Sequence, residues 1–303
     1  MPSRTKTQGQ FWLETPAKIT LRLHILSRRK DGYHELRLAL APVSLYDSLS
    51  FDLHAGAGIS LSLQGGQHPK GDEGENLVLR AALAFQEALG ERVSAAIHLA
   101  KRIPAGAGLG GGSGNAAGTL VALNRWFGNP LSPARLHGLA EALGADVPFF
   151  LDPRPAWAGG VGNLLRPLEG FPLLELLIVK PPLSIATGEA YALATPEAYP
   201  PGAATDAPPL ATVEQVVAGL YNRFEAALFP HHPELAQIKA RLLESGAMGA
   251  LLSGSGSALF GVFEDAAARD AAASAIIAGE AGADWTVLPC RTLARHRYEW
   301  RFP

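Results

Sequence analysis

Cysteine is almost missing from this chain: Cys290 is the single one in 303 residues, so no disulfide can close within it, and a reducing compartment fits. Excess charge of either sign is missing too. The 26 Lys and Arg nearly balance the 28 Asp and Glu, and a net charge of −2 gives no electrostatic case for nucleic acid or for an anionic membrane surface. Long hydrophobic runs are absent, and apolar stretches such as Leu173 to Val179 are far too short to span a bilayer. The start, Met1 to Thr15, is polar and lacks an apolar h-region, so no secretory signal is expected. No internal repeat or coiled-coil heptad is visible. These absences predict a cytoplasmic protein with no nucleic acid and no membrane among its partners; the partners are expected to be small molecules and the chain a monomer or homodimer.

What is present suits a compact protein with a sizeable core: 48% of the residues are hydrophobic and 18% charged. A length of 303 residues predicts two domains of ordinary size. Ile19, Leu21, Leu23 and Ile25 alternate with polar residues as in a half-buried strand, and Ile59 to Leu63 and Val93 to Leu99 repeat that period. Val78, Ala82, Phe85 and Leu89 share a helical face that Gly90 would cap, and Leu120, Leu123 and Phe127 share another. Ser132-Pro133 opens a further helix. Near residue 168 the character changes. Leu174 to Lys180 is expected to be a buried strand, Thr195 to Pro209 a Pro- and Ala-rich excursion, and Val213 to Leu220 and Leu235 to Leu243 helices. Gly249 to Phe263 is expected to form two strands around a second glycine-rich turn. Strands and helices mix without strict βαβ alternation, which predicts an α+β fold, divided into residues 1–168 and 169–303.

The densest signal is the run from Lys101 to Ala117, with glycines at 106, 108, 110, 111, 112 and 114. Six glycines within nine positions are costly in backbone entropy, so a tight connection alone is a poor explanation. Bare amides at the start of a helix make an anion site, most often for phosphate. Two familiar phosphate loops fail to fit. Gly106, Gly108 and Gly111 match a dinucleotide fingerprint, but no acidic residue lies between Glu91 and Glu141 to hold the ribose. A Walker loop requires Gly-Lys-Ser/Thr, and here Gly112 is followed directly by Ser113.

Pro104 to Ala117, with its Pro-x-Gly-x-Gly-Leu-Gly-Gly-Gly-Ser-x-Asn-Ala-Ala order, resembles the phosphate loop of the GHMP kinases. Pro16-Ala-Lys-Ile-Thr-Leu21 with Arg29-Lys-Asp-Gly-Tyr-His-Glu35 resembles the N-terminal signature of the branch acting on a cytidine-diphospho sugar-alcohol. Leu143-Gly-Ala-Asp-Val-Pro-Phe-Phe150 is similar to its catalytic aspartate segment, and Ser253-Gly-Ser-Gly-Ser257 to the third motif. The motifs stand in the expected order over residues 15 to 265. The resemblance implies a two-domain kinase with an N-terminal ATP-binding domain, a C-terminal α+β domain and the active site between them. The implied reaction is ATP-dependent phosphorylation of the 2-hydroxyl of 4-diphosphocytidyl-2-C-methyl-D-erythritol, a step of non-mevalonate isoprenoid synthesis.

The implied roles follow the matched positions. ATP would meet Asn76, Pro104, Gly106, Gly108, Leu109, Gly110, Gly111, Gly112, Ser113 and Asn115, with Ser113 helping to hold Mg2+ or serving simply as an N-cap. Asp146 would accept the hydroxyl proton, beside Lys18. Tyr33 and His34 would recognise cytosine by stacking and by edge hydrogen bonding, with Tyr191 on the opposite ring face. Thr20, Thr187, Gly254, Ser255 and Gly256 would complete the acceptor site. Asn76 could equally be a helix cap. Thr20 stands where the family usually has asparagine, Gly114 where it often has a second serine, and the Thr195 to Pro209 stretch lacks an expected polar Thr-Arg stretch. A homoserine or mevalonate kinase, a nucleotide-binding protein without catalysis, and a dehydrogenase are the rival readings. Tyr33-His34, the Lys18 and Asp146 pair, and the missing ribose acid argue against them in turn.

Overall fold

The computed structural model describes residues 9–53, 58–65, 76–194, 210–279 and 284–302. The Thr195 to Pro209 stretch lies outside them. Two long strands, β1 (Gly9–Arg28) and β2 (His34–Leu53), form an antiparallel hairpin that carries the first sheet. Strands β3 (Ile59–Gln64), β4 (Ala95–Ala100), β5 (Ala156–Gly159) and β6 (Leu164–Pro167) add to it. Helices α1 (Leu77–Leu89) and α2 (Gly111–Trp126) pack on this sheet through Phe85, Leu120 and Leu123, and α3 (Pro133–Leu143) packs on those two helices. The expected caps are in place. Asn76 Oδ1 accepts from Val78 N at 2.9 Å, Ser132 Oγ accepts from Arg135 N at 3.3 Å, and Gly90 closes α1 in the left-handed region.

The second sheet is antiparallel: β7 (Glu175–Lys180), β9 (Gly249–Leu252), β10 (Leu259–Phe263) and β11 (Thr286–Arg291), in the order β11-β7-β10-β9. Between β7 and β9 come α4 (Thr187–Leu193), α5 (Val213–Ala218), the short β8 (Tyr221–Asn222), α6 (Arg223–Leu228) and α7 (Pro233–Glu244). Helix α8 (Ala266–Ile277) precedes β11. Helix α5 stops before Leu220, two residues earlier than the apolar pattern suggests. In β7, Leu176 and Ile178 face one core and Leu177 and Val179 the other, which explains why its sequence is an unbroken apolar run.

Strand β1 is not half-buried, as the alternation from Ile19 to Ile25 predicts, because both of its faces are covered. Ala17, Ile19 and Leu21 join Leu176, Ile178, Phe260 and Val262 in the core shared with the second sheet. The opposite face belongs to α2 and the cavity. Pairing with β2 is irregular at Pro16/Ala17 and again at Thr20/Arg22. Outside these breaks, odd-numbered Leu13, Leu23 and Ile25 join the helix-side core, whereas between them the even-numbered Lys18 and Thr20 line the cavity. Such irregularities re-aim side chains next to active sites, and here they deliver the two polar ones. Later segments return to the first sheet: β8 pairs in parallel with β1, Thr292 bridges Val43 of β2, and Arg301 bridges Trp12. No helix among the described residues is long and apolar enough to cross a membrane.

Candidate active site

A cavity of about 1530 Å³ opens where the glycine run, the β1–β2 hairpin, α4 and the Ser253–Ser257 turn converge. Every residue given an expected catalytic, ATP or acceptor role from the sequence lines it: Lys18, Thr20, Tyr33, His34, Asn76, Pro104, Gly106, Gly108 to Ser113, Asn115, Asp146, Thr187, Tyr191 and Gly254 to Gly256.

The glycine run ends in helix α2. Gly110, at φ +68°, is the residue before the helix and makes no side-chain cap, so Ser113 is not the N-cap. The first intrahelical bond runs from Gly114 N to Gly110 O at 2.9 Å, leaving the amides of Gly111, Gly112 and Ser113 ahead of it without an intrahelical acceptor. No acidic side chain lies in this first turn to occupy them. Free amides and the positive end of the helix dipole face the same space, the arrangement that holds phosphate.

Gly108 shows why the run needs glycine. A Cβ there would lie 1.9 Å from Ser253 O, and its φ is +71°. That close approach lets the loop bond the second glycine-rich turn edge to edge, Ser257 N to Gly106 O at 3.3 Å and Ala258 N to Ala107 O at 3.2 Å. Ser253 relays between elements, accepting from Thr20 N at 3.3 Å and donating to Gly108 O at 3.0 Å. Asn222 ties the turn to the edge of the first sheet, donating to Leu252 O and to Gly254 O, both at 2.8 Å. Gly114 has a different task from the one its motif suggests. A side chain there would start 2.9 Å from Pro16 O and press on Phe150, so the missing serine reflects helix-to-strand packing rather than a lost phosphate contact.

Lys18 Nζ and Asp146 Oδ2 lie 3.7 Å apart, the lysine buried and the carboxylate side chain 38% exposed toward the cavity. Lys18 is held by its surroundings. Its amide donates to Leu109 O at 2.9 Å and its ammonium to Thr20 Oγ1 at 3.1 Å, so Thr20 orients the lysine. Asp146 sits in the turn from α3 into a short 3-10 segment, Pro148–Leu151, anchored by buried Val147, Phe149 and Phe150. With only one loose partner among the described residues, its oxygens stay open to a donor from a ligand.

At the other end of the cavity, His34 stacks on Tyr191 with centroids 4.8 Å apart and planes 14° from parallel. Phe224 presents its edge to Tyr191 at 4.9 Å. The Tyr191 hydroxyl is pushed well above the ordinary tyrosine range by burial and then by the Asp146 charge, so it stays protonated. His34 is pushed below 6.5 by burial and then by the Arg28 charge, which favours the neutral ring. Tyr33 stands apart at the tip of the hairpin, 63% exposed. The structure thus pairs His34, not Tyr33, with Tyr191. Thr187 Oγ1 lies 3.3 Å from Ser255 Oγ, joining α4 to the glycine-rich turn.

Motif matching misses three groups here. Lys101 and Arg28 both line the cavity, and Arg28 is the lining cation that makes no ion pair with a described residue. Asp47, fully buried behind the glycine run, accepts from Lys101, Arg102, Ile103 and Asn115. The available signal is positional: Asp47 falls on the same strand parity as the core residues Leu49, Phe51 and Leu53.

Residues 76–152 match the GHMP kinases N terminal domain and residues 210–280 the GHMP kinases C terminal domain. The chain is 44% identical over 253 residues to a 4-diphosphocytidyl-2-C-methyl-D-erythritol kinase from Pelotomaculum thermopropionicum, covering 82% of this chain and 88% of the relative. A crystal structure of 4-(cytidine 5'-diphospho)-2C-methyl-D-erythritol kinase superposes with a TM-score of 0.75 at 38% identity, covering 93% of this chain and 98% of the other. A homoserine kinase structure from Cytophaga hutchinsonii is similar in fold alone, with a TM-score of 0.69 at 20% identity over 97% of both chains. This chain belongs to the 4-diphosphocytidyl-2-C-methyl-D-erythritol kinase family of the GHMP kinases.

Proposed function

We propose that the chain transfers the γ-phosphate of ATP to the 2-hydroxyl of 4-diphosphocytidyl-2-C-methyl-D-erythritol. One observation carries the reading: a single cavity joins a phosphate-type helix start to an aromatic pair suited to a nucleobase, with a lysine–carboxylate pair bordering both. Lys18 lies against Gly110 and close to Gly254, while the charge of Asp146 reaches Tyr191. Asp146 takes the proton from the acceptor hydroxyl as the oxygen attacks the γ-phosphorus. Lys18 stabilises the negative charge that develops there. The first-turn amides of α2 hold the nucleotide phosphates, Asn76 borders the adenine, and the exposed Tyr33 ring and the neutral His34 recognise the cytosine. No group of three metal-ligating side chains occurs among the described residues. Mg2+ is bound mainly by phosphates and water with few protein ligands, and Ser113, which lines the cavity in the first turn of α2, would supply one of them. When bound, Mg2+ neutralises charge on the β- and γ-phosphates. We place the domain division near residue 168 and the enzyme in the cytoplasm.

The test is a coupled ADP-release assay with the cytidyl substrate, mevalonate and homoserine run side by side. Turnover is expected with the first only. Equal turnover of mevalonate or homoserine would overturn the acceptor assignment while leaving a kinase, and no ADP release with any of them would overturn the reaction class.

A further inference from the structure

Asp47 has no exposed surface and lies on β2, in the wall behind the glycine run. Its oxygens are saturated. Oδ1 accepts from the backbone amides of Arg102 at 2.7 Å and Ile103 at 2.8 Å, and Oδ2 accepts from Lys101 Nζ at 2.5 Å and Asn115 Nδ2 at 2.9 Å. Asn115 Oδ1 accepts in turn from Thr15 Oγ1 at 2.5 Å. The four donors flank the glycine run on both sides: residues 101–103 lead into it, and Asn115 sits in the opening turns of α2. Between them lie glycines 106, 108 and 110 in the left-handed region, a conformation that glycine alone adopts without steric cost.

We propose that Asp47 is a positioning residue for phosphoryl transfer: one buried carboxylate pins both ends of the phosphate loop and fixes where the α2 amides point. The proposal rests on the assignment of the ATP phosphates to that loop. A buried ionised carboxylate is stable only when fully partnered, and here its partners are the loop's two anchors, so its satisfaction and the loop's geometry are one condition. Lys101 belongs to the same clamp. A Cβ on Gly111 would lie 3.2 Å from its ammonium, so a cation stands at the positive end of α2, where Asp47 compensates it. The hub touches neither Tyr33, His34 nor Tyr191, so it bears on ATP and not on the cytidyl acceptor.

Asp47→Asn keeps an acceptor for the Arg102 and Ile103 amides but turns an amide donor toward Lys101 and Asn115. ATP binding without acceptor, measured by titration calorimetry, is expected to weaken by at least about tenfold, the loss expected for a hydrogen bond to a charged group. Binding of cytidine diphosphate, the acceptor probe, is expected to stay within about twofold, a split that a general loss of structure would not give. The exchange Asp47→Asn with Asn115→Asp returns an acceptor to the hub and should recover most of the ATP affinity. If Asp47→Asn does not fold, Asn115→Ala removes one anchor and should weaken ATP several-fold with cytidine diphosphate unmoved. ATP affinity unchanged in a folded variant, or both ligands weakened alike, overturns the clamp. A parent protein that fails to bind ATP removes the loop assignment and the clamp together, which distinguishes the two failures.

Discussion

The lysines of two lysine–aspartate pairs, Lys18–Asp146 and Lys101–Asp47, line the same cavity, yet the pairs are opposite in construction. In the first, nitrogen and oxygen are 3.7 Å apart and the carboxylate side chain is 38% exposed. In the second they are 2.5 Å apart and the carboxylate is wholly buried among four donors. A group that must accept a proton during a reaction needs a vacant lone pair and a way in for the donor. A group that must hold a backbone needs every lone pair filled and water kept out. Charge type and residue identity are the same in the two pairs, so partner count and burial separate the work of chemistry from the work of support.

The contrast breaks most visibly at Asp146. Asp146→Asn is expected to lower kcat by roughly 10²–10⁴ while ATP binding is nearly unchanged. Near-normal turnover would remove Asp146 from the chemistry. The support pair should answer in stability instead. Lys101→Met leaves a buried carboxylate short of its counter-charge, which typically costs about 3–5 kcal/mol. Lys18→Met breaks a loose pair with a half-open carboxylate, expected to cost at most about 1 kcal/mol while still lowering kcat. Urea unfolding of the two variants in parallel makes the comparison, and a larger stability loss in Lys18→Met would invert it.

The same contrast explains what the sequence discloses. Lys18, Asp146 and the glycine run are legible as positions because each stands in a short local motif that resembles the family's, and the structure brings all three to one cavity. The supports are set by contacts between distant segments, as Asp47 with Asn115 and Thr15 with Asn115. No local spacing encodes these. Thr20 is an intermediate case, identifiable by position, whereas its role of orienting Lys18 emerges only from the 3.1 Å bond. Strand β1 misleads as a half-buried strand because alternation reports one covered face and cannot reveal that a second sheet packs on the other. Helix α1, bounded by an Asn cap and a glycine in the left-handed region, is legible in full, since its determinants are all local.

A smaller effect is expected at the aromatic end. His34→Ala should raise the KM for the cytidyl acceptor by roughly tenfold, the worth of a hydrogen bond and part of a stacking face, without changing the KM for ATP. Arg28→Gln should act in the same direction and more weakly, since an exposed guanidinium meets its anion in screened solvent. An acceptor KM unchanged in both variants would leave the hairpin with support alone and move base recognition elsewhere in the cavity.

The smallest effect is in pH, and it sets a working ring against a supporting one. His296 bonds Glu14 O through Nε2 at 3.0 Å and packs against Tyr46 and Tyr298, while His34 stacks on Tyr191 in the cavity. Both are pushed below 6.5, chiefly by burial; the hydrogen bond to Glu14 and nearby carboxylates partly oppose this at His296, and the Arg28 charge reinforces it at His34. A depressed histidine binds its proton less readily in the folded chain than in the unfolded one, so its contribution to stability is present above 6.5 and is lost as pH falls below it. The urea midpoint should therefore fall between about pH 7.5 and about pH 5.5, with His296→Gln flattening that fall. Arg28→Gln removes the smaller of the two causes that depress His34, so it should return the ring part of the way toward 6.5, shift the pH profile of acceptor KM upward and, by the same linkage, flatten the urea profile slightly. An acceptor KM profile that stays unmoved in Arg28→Gln while the urea profile flattens would place His34 among the supporting groups and erase the distinction at this end of the cavity.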